Sequence, residues 1–273
     1  MLVMYRLVCT LITAKKLIGE VQMSLAPMNY DFGNASNYSF ATTITCANED
    51  ARKMFVEGFG HMLNFNHEQA IACYMKVAEH DSNCAMAYWG IAYCVSSNYN
   101  WTPGLGSGFD PIQQAISLKA SCSELEQDLI DALAERHSKE ARDAADPSVL
   151  NMGNTPELNA AFAAAMAPLY EKYKGNLDVA AIYVEALMNL KAWQLWDKNT
   201  ETGEITPADD NTLTCVKVME DAFENIDGAK EHIALCHLYC HCLELSPFPE
   251  RALPAADVLR TAMPSMGHLV HMP

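Results

Sequence analysis

Between Ala51 and Ser97 the chain writes one helical pattern twice, 34 residues apart. From Met54 to Leu63 large residues recur at three- and four-residue steps, the period of a helix with one buried face. Asn64, Phe65 and Asn66 interrupt it, and a second helix of the same period starts at Gln69 and runs through Tyr74 and Val77. Asp81, Ser82 and Asn83 end that helix, and Ala85-Met-Ala-Tyr-Trp-Gly-Ile-Ala92 opens a third. The third overlays the first: Ala51 falls on Ala85, Phe55 on Trp89, Gly58 on Ala92 and Phe59 on Tyr93.

A helix-turn-helix repeat of about 34 residues has the tetratricopeptide period. The segment resembles such repeats in Gly58 at the helix crossing, Ala70 and Tyr74 on the second helix, and Asp81-Ser82-Asn83 at the repeat boundary. Met54 and His61 stand where the pattern has Trp and its first Tyr, and Ser82 where it has Pro, so the match covers one and a half repeats. The resemblance implies an all-α fold, a tetratricopeptide-like right-handed helical solenoid of antiparallel helix pairs. In that family the second, fifth, ninth and twelfth positions of each first helix line a concave groove. Carried over, the lining is Arg52, Phe55, Phe59 and Met62, then Met86, Trp89, Tyr93 and Ser96. An aromatic, Met-rich groove suits an apolar peptide or segment of a protein partner, or it is filled by the chain's own loops, for instance 98–108. The lysines and asparagines with which chaperone-tail-binding members hold a terminal carboxylate are not recognisable here.

A formal net charge of −16 argues against nucleic acid as the main ligand and leans against anionic membrane; it is also what solvated helix faces carry. The ten cysteines form no Cys-x-x-Cys pair and lie mostly in apolar helical segments, as buried free thiols do in a reducing, cytoplasmic setting. Two sequons, at Asn34 and Asn37, point weakly the other way. The apolar run Leu7–Ala14 is too short to span a membrane and lacks a clean signal-peptide cleavage site. These features divide the chain into a leader and linker, 1–45, and a helical repeat domain, 46–273.

Beyond Ser97 the glycines and proline of 98–108 predict a connecting loop, with no phosphate-loop lysine. Asp110-Pro111 starts a helix, Ser123 and Glu126 form a capping box for another that runs to about His137, and Thr155-Pro156 opens an Ala-rich helix to Lys174. Residues 139–153 read as a charged link. Another helix runs from Asp178 to Leu190, closed by Trp193 and Trp196, which three apart lie on one packed face or form a ligand platform; 198–207 reads as a polar loop. Helices over 209–225, 231–245 and 250–262 follow, and no convincing alternating strand occurs.

The C-terminal third carries the sharpest chemistry. His237 and His241 are four apart on one helix face that Glu244 continues, and His271 lies 34 residues after His237. Ala252 and Pro264 fit the second-helix alanine and boundary proline of a repeat, a register that turns Ala234, His237, His241, Glu244, His268 and His271 toward one groove. Imidazole and carboxylate ligate zinc and other first-row divalent ions. The same patch could equally be a polar groove hydrogen-bonded across stacked helices, or hold a general base. Cys236 and Cys240 fall on packing positions and stay outside the set.

From about Thr43 onward the chain also resembles a family of long, uncharacterised tetratricopeptide-repeat proteins. The resemblance is carried by Phe65-Asn-His-Glu-Gln-Ala-Ile71, Cys84–Ile91, Glu185–Leu190, Leu195-Trp-Asp197, His237–His241 and Gly267-His-Leu-Val-His-Met-Pro273. Gly-His-Leu-x-His-Met-Pro is a mid-chain motif in such proteins, which implies further repeats after Pro273. Two functions follow: a scaffold binding a partner peptide in its groove, or a divalent-metal-binding protein or metal-dependent enzyme built on the histidines.

Overall fold

Local side-chain signals set the helix ends. The computed structural model describes residues 39–101, 104–146, 153 and 155–273. The apolar run, the sequon asparagines and the proposed linker up to residue 38 lie outside them. Thirteen α-helices, four short 3-10 helices and one small hairpin are the regular elements of the described residues. The first helices are α1 (Ser39–Thr43), α2 (Glu49–Leu63), α3 (His67–His80), α4 (Ala85–Val95) and α5 (Phe109–Leu118). They continue with α6 (Glu124–Ala134), α7 (Lys139–Asp143), α8 (Pro156–Lys172) and α9 (Leu177–Met188). After the hairpin come α10 (Asp210–Asn225), α11 (Ile233–Leu243), α12 (Leu253–Ala262) and α13 (Gly267–His271). Asn48 caps α2 by accepting from the amides of Asp50 and Ala51. Ser123 and Glu126 form the capping box of α6, and Thr155 caps α8 with Pro156 in its first turn.

Successive helices pack on their sequence neighbours: α2 on α3, α3 on α4, α4 on α5, then α8 on α9, α9 on α10 and α11, and α11 on α12. At the first of these crossings the ring of Tyr74 fills the space between two glycines. A Cβ on Gly58 would stand 2.9 Å from one edge of the ring, and a Cβ on Gly90 2.5 Å from the other. Among the described residues no helix is long and apolar enough to cross a membrane. The nine described cysteines are free and buried.

Three expectations need correction. The helical body does not begin at residue 46. Phe40 of α1 is buried, with its ring centroid 5.8–6.3 Å from those of Phe55, Phe59 and Trp89. Its amide donates to Asp178 at 3.0 Å, and Thr45 donates from its amide and hydroxyl to Glu126. The second correction concerns 198–207, which is not loop throughout: β1 (Trp196–Lys198) and β2 (Ile205–Pro207) pair antiparallel, with Trp196 opposite Pro207. Three residues a strand are too few to display an alternation in sequence. Finally, Trp193 and Trp196 share no helix face. The helix stops at Met188, Trp193 sits in a left-handed turn at φ 63°, and Trp196 begins the hairpin.

His137 packs under Gly108 and beside Ser96, buried next to the buried guanidinium of Arg136; burial first, then that charge, holds its pKa down at about 3. The folded protein therefore refuses a proton that the unfolded chain takes up below about pH 6.5. Stability from this group is present above that pH and is lost as pH falls toward 3, by about 2 kcal/mol at pH 5. Denaturant midpoints measured at pH 7.5 and 5 should show the loss, and His137→Gln should reduce it by about that amount, the remainder coming from other buried histidines such as His67 and His268. Gly90→Ala should cost about 1–3 kcal/mol through collision with Tyr74. Gly106→Ala, whose Cβ meets nothing, should stay within about 0.5 kcal/mol; thermal melts of the two variants test the pair.

Candidate functional site

Helix α11 is buried along its whole length, so its polar residues must find partners inside the protein. His237 and His241, one turn apart, meet His268 of α13. His237 Nε2 lies 2.9 Å from His268 Nε2, and one ligand nitrogen from each of the three rings lies within 4.8 Å of the other two. The ring centroids are 4.8–5.6 Å apart.

Hydrogen bonds on the far side of two rings decide where the protons sit. His237 Nδ1 is 3.0 Å from the carbonyl of Leu63, and His241 Nδ1 is 3.0 Å from Glu244 Oε1. Both partners accept, so each Nδ1 carries a hydrogen, and Nε2 is the ring nitrogen that each turns toward the cluster. His241 Nε2 is buried without a hydrogen-bond partner. Burial, reinforced by neighbouring imidazoles, holds the pKa of His237 well below its ordinary value and that of His268 at about 4. Neutral imidazole is the form that binds metal ions.

Aromatic rings wall the cluster. Phe65 lies 4.6 Å from His237, 6.0 Å from His241 and 5.6 Å from His268, centroid to centroid. Tyr99 and Trp193 stack on each other at 5.4 Å and stand 5.0 and 5.8 Å from His241. Phe65 (φ 56°) and Trp193 (φ 63°) are the non-glycine residues in left-handed backbone among those described. Bulky side chains adopt that conformation at a cost, and such strain gathers at functional sites. Asn100 completes the wall, its Nδ2 3.2 Å from His268 Nε2.

Of the predicted ligands, His237, His241 and His268 come together. Two are placed differently. Glu244 is behind His241 as the acceptor of its Nδ1–H, a supporting position rather than a ligand position. His271 is exposed, with its ring 6.3 Å from His268, because α13 points it past the cluster. The predicted groove lining is interior in this structure. Phe55, Phe59, Met62, Met86, Trp89 and Tyr93 are all buried, as is Ser96. Phe40 plugs the aromatic part, Trp89 Nε1 donates to the carbonyl of Leu129, and the Tyr93 hydroxyl donates to Glu185. Arg52 stays half-buried, donating to Glu49 and to the carbonyl of Cys46. The filler is α1 rather than the expected loop 98–108, of which Tyr99 and Asn100 meet the histidines instead. Phe65, Tyr99, Asn100 and Trp193 carry no motif that places them at the site; the one sequence trace is the helix interruption at Asn64–Asn66.

In comparisons with known proteins the chain matches no family model, no curated protein and no solved structure.

Proposed function

We propose that this protein binds one divalent first-row transition ion, zinc or an ion of similar preference, through His237, His241 and His268. The observation that carries the reading is the bare, buried Nε2 of His241. It faces two further imidazoles while its other nitrogen is engaged by Glu244. A buried nitrogen lone pair without a donor is costly, and a cation among three such nitrogens removes that cost. The carboxylate behind His241 and the carbonyl behind His237 are the outer partners that orient histidine ligands. The ion would hold the turn at Phe65, helix α11 and helix α13 together.

The scaffold around the site is read as a tetratricopeptide-like superhelix, supported by the 34-residue offset and by packing between successive helices. The free, buried thiols support a reducing compartment. Recruitment of a peptide into the aromatic groove has no open surface at the residues predicted to line it, so the histidine centre is preferred.

Purified protein should carry one ion per chain by elemental analysis, and the His237→Ala/His241→Ala double variant should carry none. Restoring the ion to stripped protein at a hundredfold excess over Kd should stabilise it by about 2.7 kcal/mol, read as a raised Tm. Absence of uptake, with a melting curve indifferent to added zinc, overturns the proposal. Glu244→Ala should keep the one-to-one stoichiometry and weaken affinity about 10–100-fold, measured by competition with a chromophoric chelator.

A further inference from the structure

Three histidines leave a tetrahedral ion one ligand short, and the turn at Asn98–Trp101 offers a fourth. That turn is fixed before any ion arrives. Asn98 and Trp101 exchange two backbone hydrogen bonds at 3.1 Å. Asn98 Oδ1 accepts from the amides of Asn100 and Trp101, both at 2.9 Å. The Trp101 indole donates to the carbonyl of Gly104 at 2.8 Å and holds the far side. Asn100, between these anchors, extends its carboxamide to His268.

The proton inventory at that contact does not close as it stands. His237 has its hydrogen on Nδ1, so its Nε2 is a lone pair. His268 Nε2 faces that lone pair at 2.9 Å and must present either a hydrogen or a cation to it. Asn100 Nδ2 is a donor and approaches the same His268 nitrogen at 3.2 Å, while Asn100 Oδ1 is buried with no partner. Turning the carboxamide over by half a rotation removes the donor conflict at His268, because it puts the acceptor oxygen where the nitrogen stands. Ligands at about 2.0–2.2 Å from a tetrahedral zinc stand about 3.3–3.6 Å apart. The 3.2 Å from the Asn100 amide position to His268 Nε2 is close to that spacing.

We propose that Asn100 Oδ1 is the fourth ligand, completing a three-nitrogen, one-oxygen site that clamps the 98–101 turn onto α11 and α13. This rests on the metal reading above and adds that the site is closed. An amide oxygen beside three imidazoles suits borderline ions such as Zn(II) and Co(II) and disfavours Cu(I).

Cobalt(II) serves as the probe, with visible absorption reporting its coordination and azide reporting an exchangeable position. Wild-type protein should take up one Co(II) per chain with the intense bands of a four-coordinate ion, unmoved by azide. Asn100→Ala should still bind one Co(II), about 10–100-fold more weakly, and its spectrum should now shift with azide. Asn100→Asp, which keeps an oxygen in place, should restore the azide-insensitive spectrum. If Asn100→Ala matches the wild type in Kd and spectrum, or if azide moves the wild-type bands as far as the variant's, the fourth-ligand assignment is overturned while the three-histidine site stands. No Co(II) uptake by the wild type overturns both. Far-ultraviolet circular dichroism of each variant confirms that it is folded, and Asn100→Asp separates loss of the oxygen from damage to the turn.

Discussion

Two hydrogen bonds on the back of α11 govern the histidine centre. Imidazole can turn either nitrogen toward a neighbour, and in water it samples both tautomers. Here the carbonyl of Leu63 and the carboxylate of Glu244 each accept a hydrogen from Nδ1, so the choice is made. The consequence reaches across the fold. Leu63 is the last residue of α2, so the helix that starts the repeat pattern ends by orienting an imidazole 174 residues further along. In the turn that follows, Phe65 lies left-handed with its ring against all three imidazoles.

Helix α13 depends on the same arrangement. Five residues cannot hold a helix alone, since nucleation is unfavourable and each further bond adds little. What holds it is burial of Leu269, the hydrogen bond from the Leu269 amide to Asn64 Oδ1 at 3.2 Å, and the approach of His268 to His237. Asn64, Phe65 and Asn66 stop α2 in the sequence. In the structure two of the three also seat the C-terminal helix.

What could be read from the sequence follows from range. Helices announced themselves through local period and caps: Asn48, Ser123 with Glu126, and Thr155 with Pro156 act within three residues of where they stand. The pairing of His237 with His241 was legible for the same reason, one turn of one helix. His268 was reached by counting repeat positions, which carried it to the right place but carried His271 there too. Glu244 lay on the correct face, yet periodicity cannot distinguish a member of the cluster from the residue that steadies one. Nothing local marks Phe65, Tyr99, Asn100 or Trp193, since their meeting depends on turns whose left-handed backbone no residue type demanded. The groove residues failed in the opposite direction. Phe55, Phe59 and Trp89 do share one face, but a short helix around Phe40, in a stretch read as linker, covers it.

Tyr74 sits with one ring edge on Gly58 and the other on Gly90, and through that ring the spacing of α2, α3 and α4 is set. The three positions therefore behave as a single mutational unit, in which order matters. Alanine introduced at either glycine while the ring is present meets carbon at under 3 Å. Were the ring lost first, the vacated space would admit alanine at Gly90, while Gly58 would still face Cys73 Cβ at 3.0 Å, and restoring tyrosine afterwards would be blocked. Each route is open in one direction only, so the history of substitutions, and not the residues alone, decides which descendants of this sequence keep three helices at their present separation.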